Sequence, residues 1–457
     1  MKIPTLLQKG PVGQLLTNPL MQRVIRNSGY LFTGSTLSAA MSMAQGIMAA
    51  RLLGVQAFGV LGIITVFASV INRLTSFRMS ELVVNYVGEY SAKEDWRGAA
   101  AAFKGAAMAE AASSLIAYAL IVGLAPLGAR TLAQDAGLAD LFAVYGLMVI
   151  GHLVAESSTG LLQYFDRFRT LAAIQIGQSA LTLALIGYAF LNNGGLEAIV
   201  IAYLLGKSIS GVSVGLAALR QARQAWGPGW WRTPLSRIAD RRRSMLRFGV
   251  NTSLTGTLTL LTRDSELLWL GALASPLQAG YYKVTLAILN VLIIPVQPLI
   301  STTYREVSRE IASRRWENVR YLLRSGSLIA GAYSMVTALG LVVIGRWVVS
   351  LWGTEFLPVA QQSLMILLLG ITVVNTFYWD RTVLLPLGQP EYPTKVTFVA
   401  AVLKVGAIFL LVPTFGAIGM AITLGGFFLA TRSILVWKTL REIRLRAKAA
   451  PVPETTS

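Results

Sequence analysis

Long apolar runs, parted by short polar breaks rich in Arg, Asp, Gly and Pro, recur along the whole chain. They lie near residues 28–50, 57–78, 99–124, 138–163, 171–192, 196–219, 246–270, 280–302, 322–344, 359–379, 395–412 and 417–437. Each is close to the roughly 20 residues that a helix needs to cross a hydrocarbon core. The pattern predicts an all-α polytopic membrane protein of about 12 transmembrane helices. The first run is too long, and too poorly followed by an A-x-A pattern, to be a removable signal peptide, so it is read as a retained helix.

Composition agrees with the pattern. Of the 457 residues, 54% are hydrophobic and 13% charged, against about 25% charged in an ordinary soluble domain. That shortage, with a mean hydropathy of +0.60, argues against a water-soluble enzyme. The net charge of +19 would suggest nucleic acid in a soluble protein, but here the placement of the charges decides otherwise. With a cytoplasmic N-terminus, the inner segments hold about 30 of the Lys and Arg, mainly within 220–247, 305–324 and 432–448. The outer loops hold Arg51, Arg130 and Arg346. This asymmetry predicts both termini in the cytoplasm, contact of the basic loops with anionic membrane lipids, and no nucleic-acid partner. There is no Cys and one His, so thiolate chemistry is excluded and neither a metal centre nor a cofactor is expected.

Residues 1–27 mix Leu with Pro, Gly and Lys and read as a cytoplasmic interfacial segment. An N-lobe of six spans is expected at 28–219, a basic cytoplasmic linker at 220–245, a C-lobe of six spans at 246–437 and a basic cytoplasmic tail at 438–457. Trp226, Trp230 and Trp231 in the linker, and Trp347 and Trp352 in an outer loop, are read as interfacial anchors. A weak internal repeat supports two halves: Gly59 and Gly280 are 221 residues apart, as are Gly195 and Gly416.

The segment ARLLGVQAFGVLGI (Ala50–Ile63) after span one, and TRDSELLWLGALASPLQAGYYKVTLAIL (Thr262–Leu289) across spans seven and eight, carry a family resemblance. There the chain resembles the polysaccharide-biosynthesis flippases of the multidrug/oligosaccharidyl-lipid/polysaccharide exporter superfamily, which handle O-antigen and related lipid-linked sugars. The resemblance implies two six-helix lobes around a central cavity in the cell membrane of a prokaryote. It also implies movement of lipid-linked oligosaccharide from the inner to the outer leaflet.

Ionisable groups inside spans are costly, so each calls for a partner or a wet cavity. In span seven, Asn251, Thr255, Thr259 and Arg263 recur every four residues and form one polar face ending in a cation. Arg263, Lys207, Lys404, Lys283 and Lys104, with that polar face, are the candidate substrate-binding residues. Deep cations suit a polyprenyl diphosphate, because Arg and Lys give charge-assisted hydrogen bonds to phosphate oxygens. Asp264, at the acidic position usual in the family, and His152, Glu156 and Glu110 are candidates for coupling to H+ or Na+. His152 and Glu156, four apart, are expected to share a helical face.

Related functions compete with this reading. A cation-coupled drug exporter is weakened by the lack of an acidic residue between Tyr30 and Ala50 and by the cationic lean of the cavity. A peptidoglycan-precursor flippase is close in chemistry but usually has two more spans. A membrane polymerase or ligase needs acid/base or nucleophilic groups gathered in a sizeable aqueous loop. The longest outer loops offer only Asp135, Arg130, Arg346 and Glu355, so no enzyme is expected.

Overall fold

The structure, a computed structural model, describes residues 19–76, 78–241, 243–245, 247 and 260–449. No strand occurs among them. The helices are α1 (Pro19–Thr75), α2 (Met79–Ala92), α3 (Trp96–Thr131), α4 (Ala139–Gly151), α5 (Ala155–Tyr164), α6 (Phe168–Leu191) and α7 (Leu196–Trp226), followed by α8 (Glu266–Leu273), α9 (Pro276–Ile293), α10 (Gln297–Ala312), α11 (Trp316–Ser350), α12 (Leu357–Thr376), α13 (Asp380–Leu384) and α14 (Glu391–Ala449). Among the described residues, nine helical stretches are long and apolar enough to cross a membrane.

Two of those stretches are too long to be single spans. α1 has 57 residues and α14 has 59, which as straight rods would reach about 85 Å. Each is broken at a glycine with positive φ, Gly54 at 70° and Gly416 at 54°, a conformation that glycine adopts at little cost. Each break separates two legs, which brings the nine to eleven. The end of the expected seventh span is seen at 260–273; its start lies outside the described residues. The expected breaks at 51–56 and 413–416 are therefore helical apart from their glycines.

Contacts divide the chain into two compact units. One comprises Met1–Gln45, Ile71–Gly123 and Ala143–Ser253, and the other Gly46–Val70, Leu124–Phe142 and Leu254–Ser457. Two stretches of the N-terminal half by sequence thus belong to the second unit. Sequence halves and contact units differ there.

In the first unit, Phe103, Leu161, Trp226 and Trp230 belong to one core. The chain after α7 folds back as a strap of short tight turns, Trp230–Arg232 and Leu235–Arg241. Trp230 sits 5.4 Å from the ring of Phe103, and Trp226 sits 6.1 Å from that of Phe165. Polar ties hold the strap: Arg241 with Glu89 at 2.8 Å, Arg237 with Asp95 at 3.6 Å, and Tyr86 with Ser244 at 2.9 Å. The interfacial reading of Trp226 and Trp230 is corrected here, since both are buried among aromatic rings of the same unit. Trp231, 54% exposed, faces outward with Arg232 stacked on it. Trp230→Phe should lower stability by about 1 kcal/mol while Trp231→Phe leaves it unchanged, read as thermal unfolding in detergent.

In the second unit, Gly59 meets the backbone of Pro276 and Gly280 so closely that a Cβ would overlap them. Gly271 packs equally tightly on the Leu132 carbonyl, and Gln134 donates to the carbonyls of Gly271 (3.2 Å) and Ala274 (3.1 Å). These crossings explain why 46–70 and 124–142 group with the C-terminal helices. Trp352 is fully buried, its Nε1 over Gly46. That corrects its assignment as an interfacial anchor; Trp347 is 65% exposed.

Candidate functional site

The first unit places four of the sequence candidates around a broken span. α4 stops at Gly151 and α5 begins at Ala155, with a turn at 152–154 between them. The break has a packing cause and a polar one. A Cβ on Gly211 would overlap the Gly151 carbonyl, so α7 presses against the end of α4. Glu110, reaching from α3, then satisfies the amides that the interruption exposes: it accepts from Glu156 N (2.7 Å), Ser157 N (2.8 Å) and Ser157 Oγ (2.6 Å). A carboxylate at a helix N-terminus caps orphan amides and matches the helix dipole.

The expected shared helical face of His152 and Glu156 is therefore absent, because the turn between them changes the direction of the side chains. His152 Nδ1 instead lies 3.0 Å from the Met148 carbonyl. Glu156 is exposed and accepts the amide of Met79 at 3.1 Å, capping α2, where the second span is interrupted as well. Lys207, on α7, is the charged neighbour of His152. It is exposed and makes no ion pair among the described residues. Lys104, expected with the cavity cations, donates to the Thr233 carbonyl at 3.2 Å. The strap thus holds it.

In the second unit, Leu260–Asp264 form a wide π-helical turn before α8. Such turns release carbonyls from the regular ladder, and the Thr262 carbonyl accepts Lys404 Nζ. Lys404 also forms an ion pair with Glu266, whose other oxygen accepts the Tyr282 hydroxyl at 2.7 Å. Lys404 is 3% exposed. Its charge is neutralised inside the protein even though a cavity of about 230 Å³, lined by Leu403, Ala407, Thr423 and Phe427 among others, lies beside it. Lys404 thus holds helices together, unlike the free cation expected of it.

Arg263 has a different setting. Its Nη2 donates to Asn290 Oδ1 at 2.6 Å, and the guanidinium is only half-buried. Asp264, beside it in the turn, is half-buried too. Lys283 lies over the Phe58 ring at 4.1 Å and donates to the Phe58 carbonyl at 3.4 Å. Asn251, Thr255 and Thr259 lie outside the described residues.

Several polar groups escaped the sequence reading. Glu266 is read in the sequence only as a second acid after Asp264, Asn290 is not singled out there, and neither is Asp380. It follows the break at 377–379, is fully buried, pairs with Arg432 and accepts the amide of Arg381 at 2.7 Å. The expected tenth span ended at 379, which left Asp380 and Arg381 in a loop. The internal repeat did not point to them, because its 221-residue spacing sets Asp380 against Thr159 rather than Glu156. Among the described residues, no cluster of His, Asp and Glu has the makings of a metal site.

Comparison with known proteins gives a consistent outcome. A family model described as "Polysaccharide biosynthesis protein" matches residues 47–361. The "Inner membrane protein YghQ" of Escherichia coli (strain K12) is 23% identical over 337 residues, covering 73% of this chain and 94% of that protein. The fold is similar to a multidrug resistance MATE family transporter of the MOP superfamily in an inward-facing conformation, with TM-score 0.74, 13% identity, and 91% and 96% of the two chains covered. It is also similar to the lipid II flippase MurJ in an inward closed conformation, with TM-score 0.70, 11% identity, and 92% and 90% covered.

Proposed function

The chain belongs to the polysaccharide biosynthesis protein family, and from that premise we propose that it is a flippase. It carries polyprenyl-diphosphate-linked oligosaccharide from the inner to the outer leaflet by alternating access, with both termini cytoplasmic. The observation that carries this reading is Lys207, a cation with no ion pair among the described residues, eleven residues into α7 and so about 16 Å along a membrane-spanning helix. A cation at that depth is tolerated where water reaches it. Arg263, steered by Asn290 and still half-exposed, is its counterpart in the second unit.

A diphosphate carries about two negative charges, and either cation offers it charge-assisted hydrogen bonds. Lys283, over the Phe58 ring and donating to its carbonyl at 3.4 Å, is the other candidate in the second unit. Lys404 is left out of the binding set because Glu266 neutralises it, and Lys104 because the strap after α7 holds it. Outward movement of an anion across an inside-negative membrane is favourable by about 2.3 kcal/mol per charge per 100 mV. Cations without paired acids favour this cargo over a cationic drug.

Charge reversal, Lys207→Glu or Arg263→Glu, should abolish surface polysaccharide in a host that depends on this protein, with the variant still present in the membrane. Lys207→Arg should retain export. Normal polysaccharide from both reversals would remove the proposal.

A further inference from the structure

Glu110 is 3% exposed, fourteen residues into the membrane-spanning α3, and has no cation within ion-pair distance among the described residues. Its charge is offset by two amides and one hydroxyl at the start of α5. An anion buried in this way is held by hydrogen bonds alone. The charged group that acts on it is another carboxylate, Glu156.

We propose that Glu110 is a proton-binding site whose occupancy sets how firmly the broken fourth span is tied to α3. The inference deepens the transport reading by naming H+ as the ion it would couple to; it rests on that reading for its use, not for its test. The local geometry supplies a relay. Ser157 Oγ lies 2.6 Å from Glu110 Oε2 and 3.2 Å from the Val154 carbonyl. When H+ adds to Oε2, the new O–H donates to Ser157 Oγ, and the serine hydrogen turns to Val154. Glu110 goes from singly negative to neutral, and no other covalent bond changes.

The amides of Glu156 and Ser157 then face an uncharged carboxyl, and hydrogen bonds to an ionised acceptor are roughly twice as strong as neutral ones. The same segment holds the second span, because Glu156 caps Met79. Loading therefore loosens α5 from α3 and, through Glu156, reaches α2.

The other charges nearby have their own places. Arg73, Arg78 and Glu81 of the second span act on Glu156. His152, on the near side of the break, has Lys207 of α7 as its charged neighbour. Lys104, on α3 itself, is held by Thr233. Proton uptake thus falls on Glu110, the acid on which no cation acts.

The test is an infrared pH titration of the purified protein in lipid nanodiscs, with no sugar or lipid-linked substrate added. Wild type and Glu156→Gln should develop the carbonyl band of a protonated carboxyl on acidification, and Glu110→Gln should lack it. Amide exchange at Glu156 and Ser157 should be faster in Glu110→Gln by about tenfold or more, the loss of one charge-assisted bond. An unchanged band in Glu110→Gln, or wild-type exchange there, overturns the proposal. Should Glu110→Gln not fold, Ser157→Ala decides: it keeps both amides and should move the midpoint of the band, and an unmoved midpoint overturns the relay. Neither result touches the substrate reading, which stands or falls on the Lys207 and Arg263 reversals.

Discussion

Replacing Lys404 with methionine should cost about 3–5 kcal/mol of stability, because it leaves the Glu266 carboxylate charged and unpaired inside the second unit. The ion pair lies where α8, α9 and α14 meet, with the Tyr282 hydroxyl on the second carboxylate oxygen. Glu266→Leu should be as damaging, since it strands the ammonium. The double variant Lys404→Met with Glu266→Leu should be more stable than either single one. It removes both charges and leaves only the Tyr282 hydroxyl and the Thr262 carbonyl in need of partners, at about 1–3 kcal/mol each. Thermal unfolding of the four proteins in one detergent measures the coupling. Additive losses would show that the pair is not what holds this junction.

The second large effect is steric. Gly280→Ala adds a Cβ that overlaps the Val55 carbonyl, and Gly59→Ala adds one that overlaps the Pro276 carbonyl. The obstructing atoms are backbone, so no rotamer change relieves the clash and the helices must separate. A loss of about 2–3 kcal/mol is expected for each, seen as lower folded yield and earlier melting. Gly340→Ala, where a Cβ meets nothing within 4 Å, is the control and should be neutral or slightly stabilising. The contrast separates close helix approach from a general intolerance of alanine.

The spans were legible because each needs only local information, a run of apolar residues long enough for a bilayer. Gly59 and Gly280 were legible too, as matching positions of the internal repeat. The breaks at 152–154 and 377–379 were not, since what completes the first is Glu110, 46 positions from Glu156 along the chain, and the period of the apolar residues runs on through it. Lys404 read as a free cation for the same reason: Glu266 is 138 residues away, and nothing local to either residue announces the other. Trp226 and Trp230 were misread because an aromatic residue beside a basic loop looks the same whether its partner is a lipid headgroup or Phe103. Sequence position fixed the depth of each polar group but not its partner. An acidic partner is what separates Lys404, neutralised by Glu266, from Lys207 and Arg263, which make no ion pair among the described residues.

The single-residue joints at Gly54 and Gly416 bear on how the molecule is handled at the bench. A protease needs several residues of extended chain, and a tag needs slack on both sides of its insertion point. Neither joint supplies these, so cleavage and tolerated epitope insertion should favour the exposed irregular stretches at 192–195 and 313–315 instead.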